Sequence, residues 1–419
     1  MTKVSLHESL RQNQSVTEQT HATFTAFIQQ TVREMVVAAM QDEVTSYCGP
    51  SHSRQDGEYE RGGSAMGRLQ LADETLVIGR PRVRRKQAGT GREVPLAVYQ
   101  EACDPRALVQ RVIQAYRAGA STRAVKRIFP QAAGVSPSQV SRHWQAAGEV
   151  QVAALRERSL AGLDFVGLFF DGVRLSEDQL AVVALGLLAD GTKMVLDFEL
   201  GASENEAVCT ALIARLLTRG LDGSPRRLIL TDGGKGLLCA IRKQFPNGVL
   251  QRCLVHKERN LRGYLSHKHY GLLGSFFKRW RHAQGLAQAL AILGELRAFL
   301  KRVNAKALAS LDEAGEELLG VFLLELPNTL HESLLSTNCI ENTFLNLRRR
   351  MDRVTRWRAN TTMAERWLAY GLMTAEGGFR RIKNFQEMPA LLAALTLPSE
   401  TLESRRAQVL HCFTIIPRA

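Results

Sequence analysis

The sequence predicts a mixed α/β fold whose large sheet joins three antiparallel strands to two later strands, each reached through a helix. Three observations predict it. FVGLFFD (165–171), LAVVALGLL (180–188) and KMVLDFEL (193–200) are consecutive apolar runs of strand length, the last two joined by the hairpin signal ADGT. A helix from about Glu204 to Arg219 follows, then the strand RLILTD, a helix from Gly234 to Gln244, and the short strand VLQRCL. From Val255 to about Leu335 the texture turns to long helical segments such as LAQALAILGELRAFLKRV, an all-helical insertion into the strand region.

The elements before the sheet follow from local pattern. Phe24, Phe27, Ile28, Val32, Met35, Val36 and Met40 recur at helical steps, predicting a helix over 20–47 that serves either core packing or dimerisation. CGPSHSRQDGEYERGG (48–63) carries turn chemistry. From Leu69 to Val98 the pattern is short and strand-like, and the run 78–92 holds six basic residues and no acid. That run reads as a solvated loop or, beside a DNA-binding module, as an arm tracking phosphates with Arg80, Arg82, Arg84, Arg85 and Lys86. Leu108, Val109, Val112, Ile113 and Tyr116 mark a helix closed by Gly119, and Ser121 suits the cap of a second, STRAVKRIF. In AAGVSPSQVSRHWQ, Ser136, Pro137 and Gln139 form the start of a third helix with a capping box. Three short helices in this order describe a helix-turn-helix, with Arg123, Lys126, Arg127, Ser138, Gln139, Arg142 and His143 as DNA-facing donors; the plain alternative is a helical bundle.

Composition bounds the function. The chain has 419 residues, with 55 Lys and Arg against 41 Asp and Glu, giving a net charge of +14 that favours a polyanionic partner. No apolar run approaches the roughly 20 residues that span a bilayer, and no secretory leader precedes the first helix, so a membrane partner is not expected. The 7 cysteines stand singly, without zinc-ribbon or disulfide spacing. The expected divisions are a helical segment 1–60, a strand-rich segment 61–104, a helix-turn-helix 105–150, a catalytic core 160–254 with 336–390, a helical insertion 255–335, and a tail 391–419.

Three antiparallel strands followed by helix–strand–helix–strand is the ribonuclease-H-like order of elements. In it the fourth strand lies beside the first, so Asp171 and Asp232, read as ending those strands, come together. Two adjacent carboxylates repel unless a cation separates them, and oxygen-only donors suit Mg²⁺ or Mn²⁺, as a pair of ions at a phosphodiester. Each aspartate alone, followed by glycine, is also a plain turn. Composition leaves the third acid open among Glu316, Glu317, Glu325, Glu332 and Glu341, the last opening a helix that carries Arg348, Arg349 and Arg350. TDGGKG lacks Walker spacing, which sets ATP hydrolysis aside.

FFDGV, ADGTKMVLDFELGASENE, LTDGGKGL, FPNGVLQRCLVHKERNL and STNCIEN resemble the insertion-sequence transposases of the Mutator-like superfamily over roughly residues 160 to 385. The resemblance implies a DDE transposase with a ribonuclease-H-like core and a helical insertion before its last acid. It implies Asp171, Asp232 and Glu341 as the metal-binding catalytic triad, and Cys253 and His256 as the Cys-x-x-His signature continued by Arg259 and Asn260. Lys235, with Arg348, Arg349 and Arg350, is expected among the DNA contacts. Where many relatives have an asparagine three positions after the glutamate, this chain has Phe344, and Asn342 follows Glu341 directly. The expected activity is binding of element terminal inverted repeats, metal-dependent strand cleavage, and attack of the freed 3′-hydroxyl on target DNA. The expected assembly is at least a dimer, acting in the bacterial cytoplasm at the nucleoid. The rival expectations are a nuclease or resolvase on the same core and a helix-turn-helix regulator.

Overall fold

A computed structural model describes residues 3–51, 57–70, 74–86, 93–352, 354, 357, 358 and 361–414. The chain forms two compact units, 1–147 and 148–419.

In the first unit the predicted helix is longer than its periodic stretch: α1 runs Lys3–Cys48. Its C-terminal half is anchored, with Val32, Val36, Met40 and Val44 packed on Leu69, Ile78 and Val83 of a small sheet. That sheet is β1 (Tyr59–Gln70), β2 (Thr75–Arg85) and β3 (Glu93–Val94), antiparallel in that order. Upstream, Phe24, Phe27 and Ile28 are 43–64% exposed, and within the anchored half Met35 is 66% exposed. Glu43 accepts from Ala97 N at 2.7 Å and Val98 N at 3.0 Å, fixing the start of α2 (Ala97–Ala102).

Two expectations are corrected here. Tyr59–Gly63, read as turn, belongs to β1, paired with β2. The basic run is strand through Arg85 rather than free arm: Arg80 and Arg82 are tied to Glu93, and Arg85 to Glu58. Along β2 Leu76 and Ile78, and past an irregularity Pro81 and Val83, are buried two residues apart with arginines among the latter, which a charge count cannot distinguish from a loop. Residues 87–92, the rest of that run, lie outside the described residues.

The three helices α3 (Arg106–Arg117), α4 (Thr122–Ile128) and α5 (Pro137–Arg156) follow as expected around a core of Leu108, Val112, Val125, Phe129, Val135 and Val140. Both predicted caps form. Ser121 accepts from Ala124 N, and the Ser136 and Gln139 side chains each accept the other's backbone N–H.

The second unit is built on a five-stranded sheet in the order β6-β5-β4-β7-β8: β4 (Phe165–Arg174), β5 (Leu180–Leu188), β6 (Lys193–Gly201), β7 (Leu228–Thr231) and β8 (Val249–Arg252). β4–β5–β6 are antiparallel, and β7 joins β4 in parallel, with Phe170 opposite Thr231. Helices α6 (Glu206–Thr218) and α7 (Lys235–Gln244) bury Leu212, Ile213, Leu216, Leu237 and Ile241 against Leu168, Phe170 and Val182. Asp197, fully buried in β6, is paired with Arg215 and Arg219 of the α6 segment, so its charge is not left uncompensated.

The predicted insertion is helical throughout its regular elements: α8 (Leu254–Arg262), α9 (Tyr270–Arg281), α10 (Leu286–Val303), α11 (Ala305–Ala314), α12 (Gly320–Leu323) and α13 (Asn328–Leu334). It is fastened to β8 by Arg252, whose guanidinium is buried and bonded to Glu313 and Glu317. Then α14 (Asn338–Met351) packs on β4, and α15 (Met363–Glu376) packs on β6 and α14. The expected tail is instead α16 (Met388–Leu395) and α17 (Ser399–Thr414), the latter packed on α10 and α12. Buried Leu402 and Val409 give it an apolar side that a short polar-looking terminus conceals. No helix among the described residues is long and apolar enough to cross a membrane.

Candidate metal centre

Alternation along β4 puts Phe169, Asp171 and Val173 on one face, the face on which α14 packs. Asp171 is 5% exposed and lies inside β4, three residues short of its end; only the parallel ladder with β7 stops before it, at Phe170. The expectation that it ends the strand is corrected to that extent. Asp232 directly follows the last residue of β7, and its Oδ1 accepts from Gly234 N at 3.1 Å. The parallel register therefore carries the two aspartates to the same end of neighbouring strands.

Asp171, His256 and Glu341 offer ligand atoms within 4.8 Å of one another. Asp232 is not in that trio, yet it is close enough to raise both Asp171 and a fourth carboxylate, Glu204. Burial, then the Asp232 charge, pushes Asp171 up to about 7. Burial, then Asp232 and Asp171, pushes Glu204 up to about 8. Glu204 sits between glycines: a Cβ at Gly234 would lie 2.1 Å from its Oε1, and one at Gly172 would lie 3.1 Å from its Oε2. A side chain at Gly172 or Gly234 would thus displace the Glu204 carboxylate from this position, and Gly233 holds φ +96°.

The donor set fits a hard divalent cation. Glu204 Oε1 is a buried atom without a hydrogen-bond partner, Glu341 Oε1 has the His256 ring beside it at 3.1 Å, and burial together with crowded like charge pushes Asp171 and Glu204 up. Asp171, His256 and Glu341 line a cavity of about 340 Å³ whose exposed lining residues include Arg259, Asn342 and Arg348. Acids within and arginines at the opening suit a phosphodiester.

A second set of bonds positions Glu341. Cys253 caps α8, its Sγ accepting from His256 N at 3.5 Å and, from beyond the insertion, from Thr337 N at 3.3 Å. Leu254 N donates to Leu335 O at 3.0 Å, closing the same junction. Thr337 Oγ1 lies 3.3 Å from His256 Nδ1, and His256 Nε2 lies 3.1 Å from Glu341 Oε1. The insertion thus leaves the sheet and returns to it through one clasp. Burial alone would raise the Cys253 thiol, but hydrogen bonds from His256 and Thr337 and the His256 charge hold it below its usual value. His256 rises to about 9, through the bond to Cys253 against the effect of burial, helped by the charges of Cys253, Asp171 and Glu341.

Other predicted residues fall as follows. Of the alternative glutamates, Glu317 pairs with Arg252, Glu325 with Arg405 and Glu332 with Lys383, and Glu316 is absent from the trio that groups Glu341 with Asp171. Asn260 is exposed and does not line the cavity, while Lys235, Arg348, Arg349 and Arg350 are all exposed on the second unit. On the first unit Arg123, Arg127, Ser138 and Arg142 are exposed, but two predicted donors are committed within the protein and Gln139 has its amide oxygen engaged. Gln139 is held in the capping box, His143 bonds the Gly134 carbonyl at 3.2 Å, and Lys126 donates to Pro130 O and Ala132 O. Sequence reasoning missed Glu204 and Thr337. Glu204 had a signal, an acid at the mouth of a helix within GASENE, but the glycine cradle that receives it is a tertiary fact.

Comparison with known proteins is consistent across the chain. The family described as "Transposase, Mutator family" matches residues 1–380. The transposase for insertion sequence element IS905 of Lactococcus lactis subsp. lactis is 32% identical over 243 residues, 56% of this chain and 60% of that relative. The transposase for IS256 in transposon Tn4001 of Staphylococcus aureus is 29% identical over 340 residues, 77% of this chain and 80% of the relative. That for ISRM5 of Rhizobium meliloti is 29% identical over 338 residues, covering 76% and 81%. The alignment thus spans less than two thirds of the first of these relatives and about four fifths of the other two.

Proposed function

The chain belongs to the Mutator family of transposases, and on that premise we propose that it binds the terminal inverted repeats of its insertion sequence and performs metal-dependent DNA strand cleavage and strand transfer. The observation that carries this reading is the cavity with Asp171, His256 and Glu341 inside it and Arg259 and Arg348 at its opening. The strand order β6-β5-β4-β7-β8, with acids at one end of β4 and β7, supports a ribonuclease-H-like catalytic core of DDE type. Asp171, Asp232 and Glu341 would hold two Mg²⁺ or Mn²⁺ ions, with Glu204 as a further oxygen donor. Such ions, when bound, supply the charge that activates a hydroxyl nucleophile and stabilises a phosphodiester leaving oxygen. Arg259 and Arg348 orient the phosphates, His256 orients Glu341, and no covalent protein–DNA step is required.

The test is strand cleavage and joining on a labelled duplex carrying the element's end, with Mg²⁺, for wild type and Asp232→Ala. Both products, lost in the variant while duplex binding stays, support the transposase. Cleavage without joining supports the nuclease; binding without chemistry in either protein supports the regulator. In the helix-turn-helix, Arg142→Ala is expected to weaken duplex binding without changing metal binding.

Proton linkage gives a second expectation. Asp171, near 7, and Glu204, near 8, must lose protons before they ligate a cation. Apparent Mn²⁺ affinity therefore rises with pH from 6 to 8, by up to about tenfold per pH unit for each carboxylate deprotonated. Calorimetric Mn²⁺ titration across that range checks it, and a flat profile overturns the assignment of these acids as ligands.

Pairing two element ends calls for a dimer, and the exposed Phe24, Phe27 and Ile28 of α1 supply an apolar stripe at helical spacing. Phe24→Glu with Phe27→Glu is expected to convert a dimer to a monomer in sedimentation equilibrium. A wild type that already sediments as a monomer at micromolar concentration overturns this role.

A further inference from the structure

On the second unit α14 carries a stripe of asparagines on the side adjoining Glu341. Asn338, Asn342 and Asn346 recur every fourth residue, all exposed, and none has a side-chain hydrogen bond among the described residues. Asparagine is a poor helix former because its amide competes for backbone hydrogen bonds, so three on one exposed stripe weaken the helix they occupy. Opposite them lies the segment after α15, and together the two line a groove of about 360 Å³ with Lys193 of β6.

The charge in this groove is not all neutralised. Arg381 is held by Asp190 and Lys383 by Glu332. Lys193 and Arg380 have no acidic partner among the described residues; Lys193 rests 5.5 Å above the Phe379 ring. Asn342 lines both this groove and the cavity that holds Asp171 and Glu341. From Asn338 to Asn346 the helix advances about 12 Å, the length of roughly three steps of a stacked strand at about 3.4 Å each.

We propose that this groove receives the sugar–phosphate backbone of the DNA strand that enters the metal centre, Lys193 and Arg380 neutralising phosphates and the asparagine amides bonding phosphate and sugar oxygens. The inference rests on the transposase reading above and adds the path of the strand. Amides and cations along a backbone give positioning without base readout, as a site that must accept target DNA requires.

The test uses the full-length chain and a short fluorescein-labelled single strand, because a helix-turn-helix reads duplex grooves. Lys193→Gln with Arg380→Gln is expected to weaken strand binding about tenfold and to shrink the salt slope by about 1.4, roughly 0.7 per phosphate. Asn346→Asp, an exposed change that sets a negative charge against the backbone, is expected to weaken binding by a similar factor. Circular dichroism melting reports whether either variant folds. Affinity and slope within twofold of wild type in both variants overturn the groove. Cleavage by wild type then still supports the transposase, whereas weakened strand binding with no metal-dependent cleavage in wild type would keep the groove and reject the catalytic reading.

Discussion

Asp232→Ala is expected to abolish strand cleavage, by at least about a thousandfold, or roughly 4 kcal/mol of transition-state stabilisation, while the protein stays folded. Asp232 is half-buried just beyond the end of β7, and its own hydrogen bonds are to Thr231 and Gly234, not to the core. Its loss relieves Asp171 and Glu204 of a repelling charge, so stability is maintained or improved. Glu341→Gln should lose activity similarly, because it retains the shape but not the charge. Asp171→Asn separates the roles by pH. Its folded carboxyl stands near 7 against an ordinary 3.8. The metal-free fold therefore carries no penalty from it below the lower value and a growing one as pH rises toward 7. The full penalty, reached above that, is on the order of 4 kcal/mol at most. The asparagine variant should thus melt higher than wild type at pH 8 without metal, show little difference at pH 4, and cleave nothing. A variant at any of the three positions that cleaves within tenfold of wild type would sink the triad.

Cys253→Ala is expected to cut cleavage by one to two orders of magnitude although the residue touches no substrate. It removes the acceptor shared by His256 N and Thr337 N; Thr337 is fully buried. Leaving those donors unpaired costs about 1–3 kcal/mol each. The larger effect is geometric. Thr337 caps α14 and its carbonyl accepts from Glu341 N at 3.0 Å, so loosening the clasp shifts the glutamate. A displacement near 1 Å costs on the order of a hundredfold in rate. The diagnostic readout is weaker Mn²⁺ binding with duplex binding unchanged. Cys253→Ser, which keeps an acceptor, should recover most of the loss. Wild-type rate and Mn²⁺ affinity in Cys253→Ala would show that the clasp does not position Glu341.

Much of the second unit was legible because its signals are local. The apolar runs at 165–200, ADGT between the second and third, and the change to helical texture after Val255 match β4 to β6 and the insertion closely. The caps at Ser121 and Ser136 were legible for the same reason. What escaped depends on partners remote in sequence. The arginines of β2 read as a loose arm because Glu58 and Glu93, which hold them, lie outside the run that was counted. Gln139 and His143 read as free donors until the folded chain gave them internal acceptors or donors. The third acid was the hardest case: five glutamates satisfied the composition, and only the return of α14 onto β4 brings one of them to Asp171.

The insertion between β8 and α14 also sets a clock. Asp171, Glu204 and Asp232 are synthesised before it and Glu341 after it, and at about 5–20 residues per second the ribosome spends several seconds on the helices between. During that interval the nascent chain holds three acids of the cluster without the fourth. The acid cluster thus gains its last member only when the helical subdomain has been made. A premature stop anywhere in those helices yields a product that lacks Glu341 altogether.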